Sequence, residues 1–566
     1  MSNTTSVNTG AVNTAGNRTY LTGLGSGLNT AALIEAAHKQ RTAEADKIDV
    51  RIEKNNQRAT ALTEMQSLGT ALESSLRFLR NSYGFGVGSS SAFTLKAGSL
   101  ESSSSISPAN LVNVTIDNNA AAGSYEFRVL QKATAQKVAS ASAADRNAAL
   151  GLNGSFDLGL GTGAAATINV DASMSLSDLA NAINAQSGTT NVTASVLKVA
   201  DNSYQLVLTG KNTAQEISIS NVSGDNVMES IGVLNAGGGF ADQIQAAQSA
   251  QIEFDGVVIT RSTNEFNDLI DGVNISIKNA EPGTTLTLEV GNDTTSVKNA
   301  ITNFMAAYND LRDFVIHHQT VKDGGEVSED SVLYGDFMLK NMSQQLQAIM
   351  GLSFTTDSGI SSLRELGIGF DVQNKMILED EAKLDDLLRN DFDSVRQLFE
   401  TSYSSDNSQL ALMSNTSTFP GGALSFNITH DGNGITGVTV NGSSDGFEIN
   451  GSAIVGKKGT QYEGLRFAYA GNTDATINFT LNQGAADLLA NASARYTDVV
   501  NGSIQQELLS IGKQNDSLST QAERVRERAD RYKDTLIEKY AKFEAVYGRA
   551  KQTLSQIRAI LGIKDK

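Results

Sequence analysis

The chain contains no cysteine and no tryptophan in its 566 residues, and only three prolines. Without cysteine there is no disulfide, no thiol nucleophile and no thiolate zinc site. Four histidines remain, His38, His317, His318 and His430. His317 and His318 point about 100° apart on a helix, whereas chelation from one helix needs i, i+4 spacing. Both are expected on the surface, and neither a metal nor any other cofactor is expected. No apolar run approaches the roughly 18 residues that cross a bilayer. The N-terminus also lacks the basic and apolar parts of a signal sequence. Membrane insertion is therefore not expected, and export requires another route.

Negative charge is plentiful but unevenly placed. The net charge is −18, yet residues 1–80 carry 9 basic against 7 acidic side chains, and residues 521–566 carry 12 against 7. The excess of acid lies between them. An acidic body disfavours nucleic acid and anionic membrane as partners.

Glycine is abundant, with 51 residues, and one stretch invites a ligand: "LTGLGSGLNT", Leu21–Thr30. A phosphate loop needs a strand before it and a helix behind it. The preceding "MSNTTSVNTGAVNTAGNRTY" is polar and patternless, Leu28 occupies the place of the third glycine, and no Gly-Lys-Ser/Thr follows. The segment is instead a hinge capped into a helix by Asn29 or Thr30.

Three helices show 3-4 apolar spacing. From Ala522 the positions Val525, Ala529, Tyr532, Leu536, Lys539, Phe543, Val546, Ala550, Thr553, Ile557 and Ile560 follow, and ten of these twelve are apolar. A run this long reads as a coiled-coil seam that needs a partner. At the other end Ile48, Ile52, Asn55, Ala59 and Leu62 keep the same spacing. Asn55 is a register device if buried and a plain surface residue if not. The third set is Val297, Ile301, Phe304, Tyr308, Leu311 and Val315. Ordinary bundle packing is the alternative, but it leaves apolar seams at both termini unexplained.

Between the helices the period changes to two. "NLVNVTID", "GSYEFRVL", "QIEFDGVVIT", "GVNISIKN" and "TLTLEV" alternate apolar with polar residues, as half-buried antiparallel strands do. A second such region occupies 403–482. The fold class is α+β multidomain: a terminal α-helical coiled-coil leg and a helical layer, with β-rich heads inserted between the N- and C-terminal helices.

These words in this order resemble the flagellar hook-associated protein 2 family, the bacterial filament cap proteins. Gly23, Leu24, Gly25, Ser26, Gly27, Leu28 and Asn29 look like its N-terminal signature, with Asn29 in place of the usual aspartate. "AGSYEFRVLQKATAQKVAS" (Ala122–Ser140) and "FDGVVITRSTNEFNDLIDGVNISI" (Phe254–Ile277) are similar to two of its strand motifs. "LYGDFMLKNMSQQL", "LRELGIGFD" and "DEAKLDDLL" resemble its helical layer, and Ser175–Gly210 resembles the flagellin-type insertion.

The resemblance implies a domain plan. Residues 1–20 are a disordered export segment and 21–83 the N-terminal helices. Residues 84–140 with 241–293 form a first β-rich head, and 141–240 a second. A helical layer spans 294–402, a further β-rich insertion 403–484, and the C-terminal helices 485–566. It also implies a ring of identical chains, a pentamer on the family's pattern, with its contacts expected on the helical layer formed by Val297–Val315 and the Leu333–Leu388 segment. The implied partners are flagellin, the hook–filament junction proteins, the flagellar type III export apparatus and a cytosolic chaperone on the C-terminal helix. The implied place is extracellular, at the filament's distal tip, after a transient cytoplasmic stage. Catalysis is not expected, since Ser195 and Lys198 share a Ser-x-x-Lys spacing only within a strand-like run. The competing functions are a surface adhesin binding host glycan or protein through its heads, and a hook–filament junction protein.

Overall fold

A computed structural model describes residues 11–23, 25–81, 91–321, 324–357 and 359–562. The chain divides into two units, Ala92–Val297, and Met1–Ser91 with Lys298–Lys566. The fold is α+β and multidomain, with one long helix near each end.

In the unit Ala92–Val297, alternation builds two separate cores. The first has a five-stranded antiparallel sheet, in the order Val257–Arg261, Ala250–Phe254, Gly123–Gln131, Leu286–Asn292 and Lys96–Ser102. A three-stranded sheet of Glu265–Ile270, Val273–Ile277 and Val112–Ile116 completes it. Phe127, Ile252, Phe266, Ile275 and Leu288 fill the space between them. Asp255-Gly256 closes the hairpin after Phe254 with φ of 46° and 83°, the pair of positive values that matches strand twist in a two-residue turn.

The second core uses a four-stranded sheet of Asp242–Gln245, Lys137–Ala139, Ser203–Gly210 and Val192–Ala200. A three-stranded sheet of Ile217–Gly224, Gly154–Leu160 and Ala166–Val170 accompanies it. Helix Leu176–Ala185 packs Leu179 and Ile183 into this core. Its start is fixed by a capping box between Ser175 and Asp178.

The other unit contains a β-sandwich, the terminal helices and a helical layer. The sandwich pairs the sheet Ser402–Ser405, Ala475–Asn482, Gly421–His430, Ile435–Val440 with Leu410–Asn415, Leu465–Tyr469, Ala453–Gly456, Phe447–Asn450. Its core is aromatic, with Phe467 edge-on to Phe426 at 4.9 Å and to Phe479 at 5.1 Å. Helix Ala485–Thr497 follows directly and is buried from Ala485 through Ser493. It crosses the N-terminal helix Thr30–Leu76 at Gly69, where a Cβ would lie 2.4 Å from Thr497 Cγ2.

A buried polar cluster fastens sandwich to helix. Arg80 Nε donates to Asp487 Oδ1 at 2.7 Å, and the Thr401 hydroxyl donates to Asp487 Oδ2 at 2.7 Å. Asn491 and Gln483 both donate to the Ser417 carbonyl at 2.9 Å.

One expectation about the ends changes. Residues 11–20, expected within a disordered segment, instead form with Leu21 and Thr22 a hairpin of Ala11–Ala15 and Arg18–Thr22. Ala15 and Tyr20 join Ile34, Leu536, Ile537 and Tyr540 in a small core, and that packing offsets the ordering entropy. Residues 1–10 lie outside the described residues. The C-terminal helix starts at Ser503 and runs to Ile560, so its 58 residues reach about 87 Å at 1.5 Å per residue.

Candidate functional site

The two terminal helices run antiparallel and pack along each other as one leg. Ala45 and Ile48 pack with Leu518, Ala522 and Val525, with Ile52 at the edge. Ion pairs flank this seam: Lys533 with Glu35 at 3.2 Å, Arg526 with Asp49, and Arg58 with Glu507. His38 Nε2 stands 2.8 Å from Asp530 Oδ1. Further along, Leu62 is fully buried and Ala59 half-buried.

Asn55 is half-buried within a polar layer. Its amide donates to Asn515 Oδ1 at 2.8 Å and Gln514 Oε1 at 3.0 Å, while the Asn515 amide donates to Asn56 Oδ1 at 2.8 Å. Slipping one helix by a turn would leave these amides against apolar neighbours, so the layer sets register.

The C-terminal seam departs from its sequence pattern. Val525 and Ala529 are buried, and Tyr532 and Leu536 are half-buried, Tyr532 beneath Arg41, whose guanidinium carbon sits 3.8 Å from the ring centre. The buried line then passes by one residue to Ile537 and Glu544. Phe543, Val546, Ala550, Ile557 and Ile560 are exposed. The reason is length: the N-terminal helix begins at Thr30, opposite the Lys533–Tyr540 region, and cannot cover what lies beyond.

The glycine stretch, expected to be a plain hinge, is occupied by Glu544 of the C-terminal helix. Glu544 Oε2 accepts from the Gly25 N–H at 2.8 Å and the Ser26 N–H at 3.2 Å, and its Oε1 accepts from the Ser26 hydroxyl. A Cβ on Gly25 would stand 3.0 Å from that carboxylate. Gly23 and Gly27 take φ of 84° and 72°, strained for any L side chain. Asn29 caps the helix by accepting from the Ala32 N–H at 3.1 Å, and Leu28 is exposed. Leu24 lies outside the described residues. The glycine loop thus cradles an anion, as glycine-rich backbone does, but the anion is a carboxylate of the same chain. Nothing local to Glu544 reveals this pairing. Its only signal is a charge on the line that the slipped seam follows.

This clasp carries a pH dependence. The hydrogen bonds from Ser26 and Gly25 hold the Glu544 carboxyl below the usual glutamate range. Its contribution to stability is therefore complete at neutral pH, and is lost as pH falls from the usual range through the lowered one. Glu73 and Glu400 have the opposite sign, because burial raises both, and their share declines as pH rises. Comparing wild type with Glu544→Gln isolates the clasp. Amide exchange at Gly25 and Ser26 is expected to speed up on the order of tenfold in the variant at pH 7, with the gap closing in acid. An equal rate at pH 7 would remove the clasp.

The six layer residues answer differently from their expectation. Val297, Ile301, Phe304, Tyr308, Leu311 and Val315 are all buried within the chain. Leu311 and Val315 line a narrow cleft with Leu339, Met342 and Leu346 of helix Phe337–Met350. The Tyr308 hydroxyl donates to the Asn374 carbonyl at 3.1 Å, and burial pushes its pKa up to about 12. This seam is consumed by the chain's own core and is not available to a neighbour. His318, expected on the surface, is only 4% exposed, whereas His317 is exposed. Ser195 and Lys198 lie in strand Val192–Ala200, where Lys198 pairs with Asp201 at 2.7 Å. Among the described residues there is no cluster of three metal-ligating side chains, and no helix long and apolar enough to cross a membrane.

The family described as Flagellar hook-associated protein 2 C-terminus matches residues 247–552, and the corresponding N-terminus family matches 26–136. The Flagellin hook IN motif matches 155–212. The B-type flagellar hook-associated protein 2 of Pseudomonas aeruginosa is 26% identical over 359 residues, covering 60% of this chain and 72% of that protein. Flagellar hook-associated protein 2 of Salmonella typhimurium is 27% identical over 231 residues, 40% of this chain and 48% of that one. That of Aeromonas caviae is 25% identical over 241 residues, 41% of this chain and 51% of that one. The matches thus span about half the length of these last two relatives. The crystal structure of the D1-D2-D3 domains of the flagellar cap protein FliD from Escherichia coli is 25% identical, with a TM-score of 0.41, and covers 61% of this chain and 89% of that one.

Proposed function

The chain belongs to the flagellar hook-associated protein 2 family, and we propose that it caps the flagellar filament with its paired terminal helices as the leg. The family is one of flagellar structural proteins rather than enzymes, and its place of work is the flagellum. The observation that carries the leg is the clasped antiparallel pair. Both family matches reach into it, and Glu544 ties the N-terminal signature to the C-terminal helix. An adhesin needs only its heads and gives no reason for joined termini.

In this reading the cap works with flagellin at the filament's distal tip, above the hook–filament junction proteins. It keeps exported subunits from diffusing away and shelters their folding. Copies close head-to-tail into a ring, a pentamer on the family's pattern. Since the Val297–Val315 seam is covered, the ring contacts come from exposed layer residues such as Phe337 and Val372. The chain reaches the tip through the type III apparatus after a cytoplasmic stage.

Before export, the distal C-terminal helix needs a cover. Phe543, Tyr547, Leu554, Ile557 and Leu561 are exposed at heptad spacing, an apolar stripe that promotes association. A cytosolic chaperone covers it. Replacing Tyr547, Leu554 and Ile557 with serine is expected to leave the melting temperature unchanged and weaken the purified chaperone's binding at least about tenfold by calorimetry. Unchanged affinity would place the chaperone elsewhere. The capping function itself is tested by deleting the gene and measuring flagellin in filaments and medium. Monomer flooding the medium supports it, and normal filaments refute it.

A further inference from the structure

A cleft of about 930 Å³ lies between the N-terminal helix and helix Thr294–Gln319. Five carboxylates line it, Glu64, Asp310, Asp313, Glu329 and Asp330, and no lysine or arginine is among its lining residues. Two of the five have partners: Asp313 pairs with Lys375 at 2.9 Å, and Asp330 faces His317 Nε2 at 3.6 Å. Among the described residues, Glu64, Asp310 and Glu329 have no cationic partner.

Acids on a helix face are usually hydrated and mean nothing more. Here a second observation adds to them. His318 lines the same cleft, is 4% exposed, and its Nδ1 is buried without a hydrogen-bond partner. A buried polar atom left unpaired carries a desolvation cost that an incoming group would relieve. Burial, with His317 adjacent, pushes the His318 pKa down, so the ring is neutral at pH 7 and one of its nitrogens is an acceptor. Carboxylates and such a nitrogen want a donor-only cation. Phe314, Leu68 and Ala61 supply an apolar floor.

The complementary group is on this chain. Phe337 is 76% exposed at the start of helix Phe337–Met350, with exposed Tyr334 before it and exposed Lys340 one turn on. Neither Phe337 nor Lys340 lines the cleft of its own chain. An ammonium carries three donors and no acceptor, and an aromatic ring beside it suits the apolar floor. A patch and a different socket on one surface are the two halves of a heterologous contact, the kind that closes into rings.

We propose that the acidic cleft is the socket for a second copy of this chain, filled by the neighbour's Lys340 and Phe337. This rests on the ring-forming cap reading above and assigns its contact. The test measures self-association of the full chain by sedimentation velocity across a concentration series at two salt concentrations. Lys340→Glu alone, or Asp310→Lys with Glu329→Lys, is expected to weaken association at least about tenfold. Combining the two charge reversals is expected to recover most of that loss, because the pairs are restored with opposite sign. Phe337→Ala is expected to weaken association while leaving its salt dependence unchanged. All these side chains except Phe337 are charged groups at the surface, and circular dichroism melting checks that the variants fold. Wild-type association by Lys340→Glu, or no recovery in the combined variant, would overturn the socket. If such a variant still retains flagellin in cells, capping stands and only the contact falls. If gene deletion leaves filaments normal, the cap reading falls whatever the association data say.

Discussion

A chain that ends at Thr520 is expected to restore no filaments to cells lacking the gene, leaving flagellin in the medium at the level of the deletion. The truncation removes Ala522, Val525, Ala529 and Ile537, all buried in the leg. Val525 and Ile537 alone contribute roughly 1.5–3 kcal/mol each through burial. It also removes Asp49's partner Arg526, Glu35's partner Lys533, and the Glu544 clasp. The helix from Thr30 to about Ile52 then has no face to bury, and a helix without tertiary contacts is marginal in water. The sandwich and heads keep their own cores, so the truncated protein is expected to be folded but unable to cap. Filaments of normal length with this chain would mean that the leg is dispensable.

Arg80→Ala is expected to be the most destabilising single change outside the hydrophobic cores. Asp487 has a side chain only 2% exposed and depends on Arg80 Nε at 2.7 Å for its countercharge. Removing the guanidinium strands a buried carboxylate, a loss of about 3–5 kcal/mol. It also removes the contact from Arg80 Nη2 to Asn491 Oδ1 at 3.3 Å, the side chain whose amide donates to the Ser417 carbonyl. The urea midpoint should fall accordingly. The double variant Arg80→Met, Asp487→Leu is the control, because two apolar groups in place of a pair often come close to neutral. A small loss in Arg80→Ala, or an equal loss in the double variant, would show that the pair does not anchor the sandwich.

Much of this was legible before any coordinates. Alternation marked the strands at Gly123–Gln131 and Ala475–Asn482 because each has one face in a core and one in water. The 3-4 spacing at Ile48 to Leu62 and at Ala522 to Ala529 marked the leg, since only that period keeps a stripe facing one partner. The pattern misled where period alone could not reveal who covers whom. Val297 to Val315 has the spacing of a contact surface, but helix Phe337–Met350 had already taken part of it. Phe543 to Ile560 has the spacing of a paired seam, but the N-terminal helix begins too late to meet it.

What the sequence determined by itself was chemistry and period: no thiol chemistry, helices at the ends and strands between. These depend on residue type and near neighbours, which are local. Only the tertiary structure decided the partners. Glu544 and Gly25 are more than five hundred positions apart, and which acid meets which backbone follows from the antiparallel register. His318 shows the same divide. Its neighbours in the chain made it a surface residue, and the cleft between two distant helices made it a buried one.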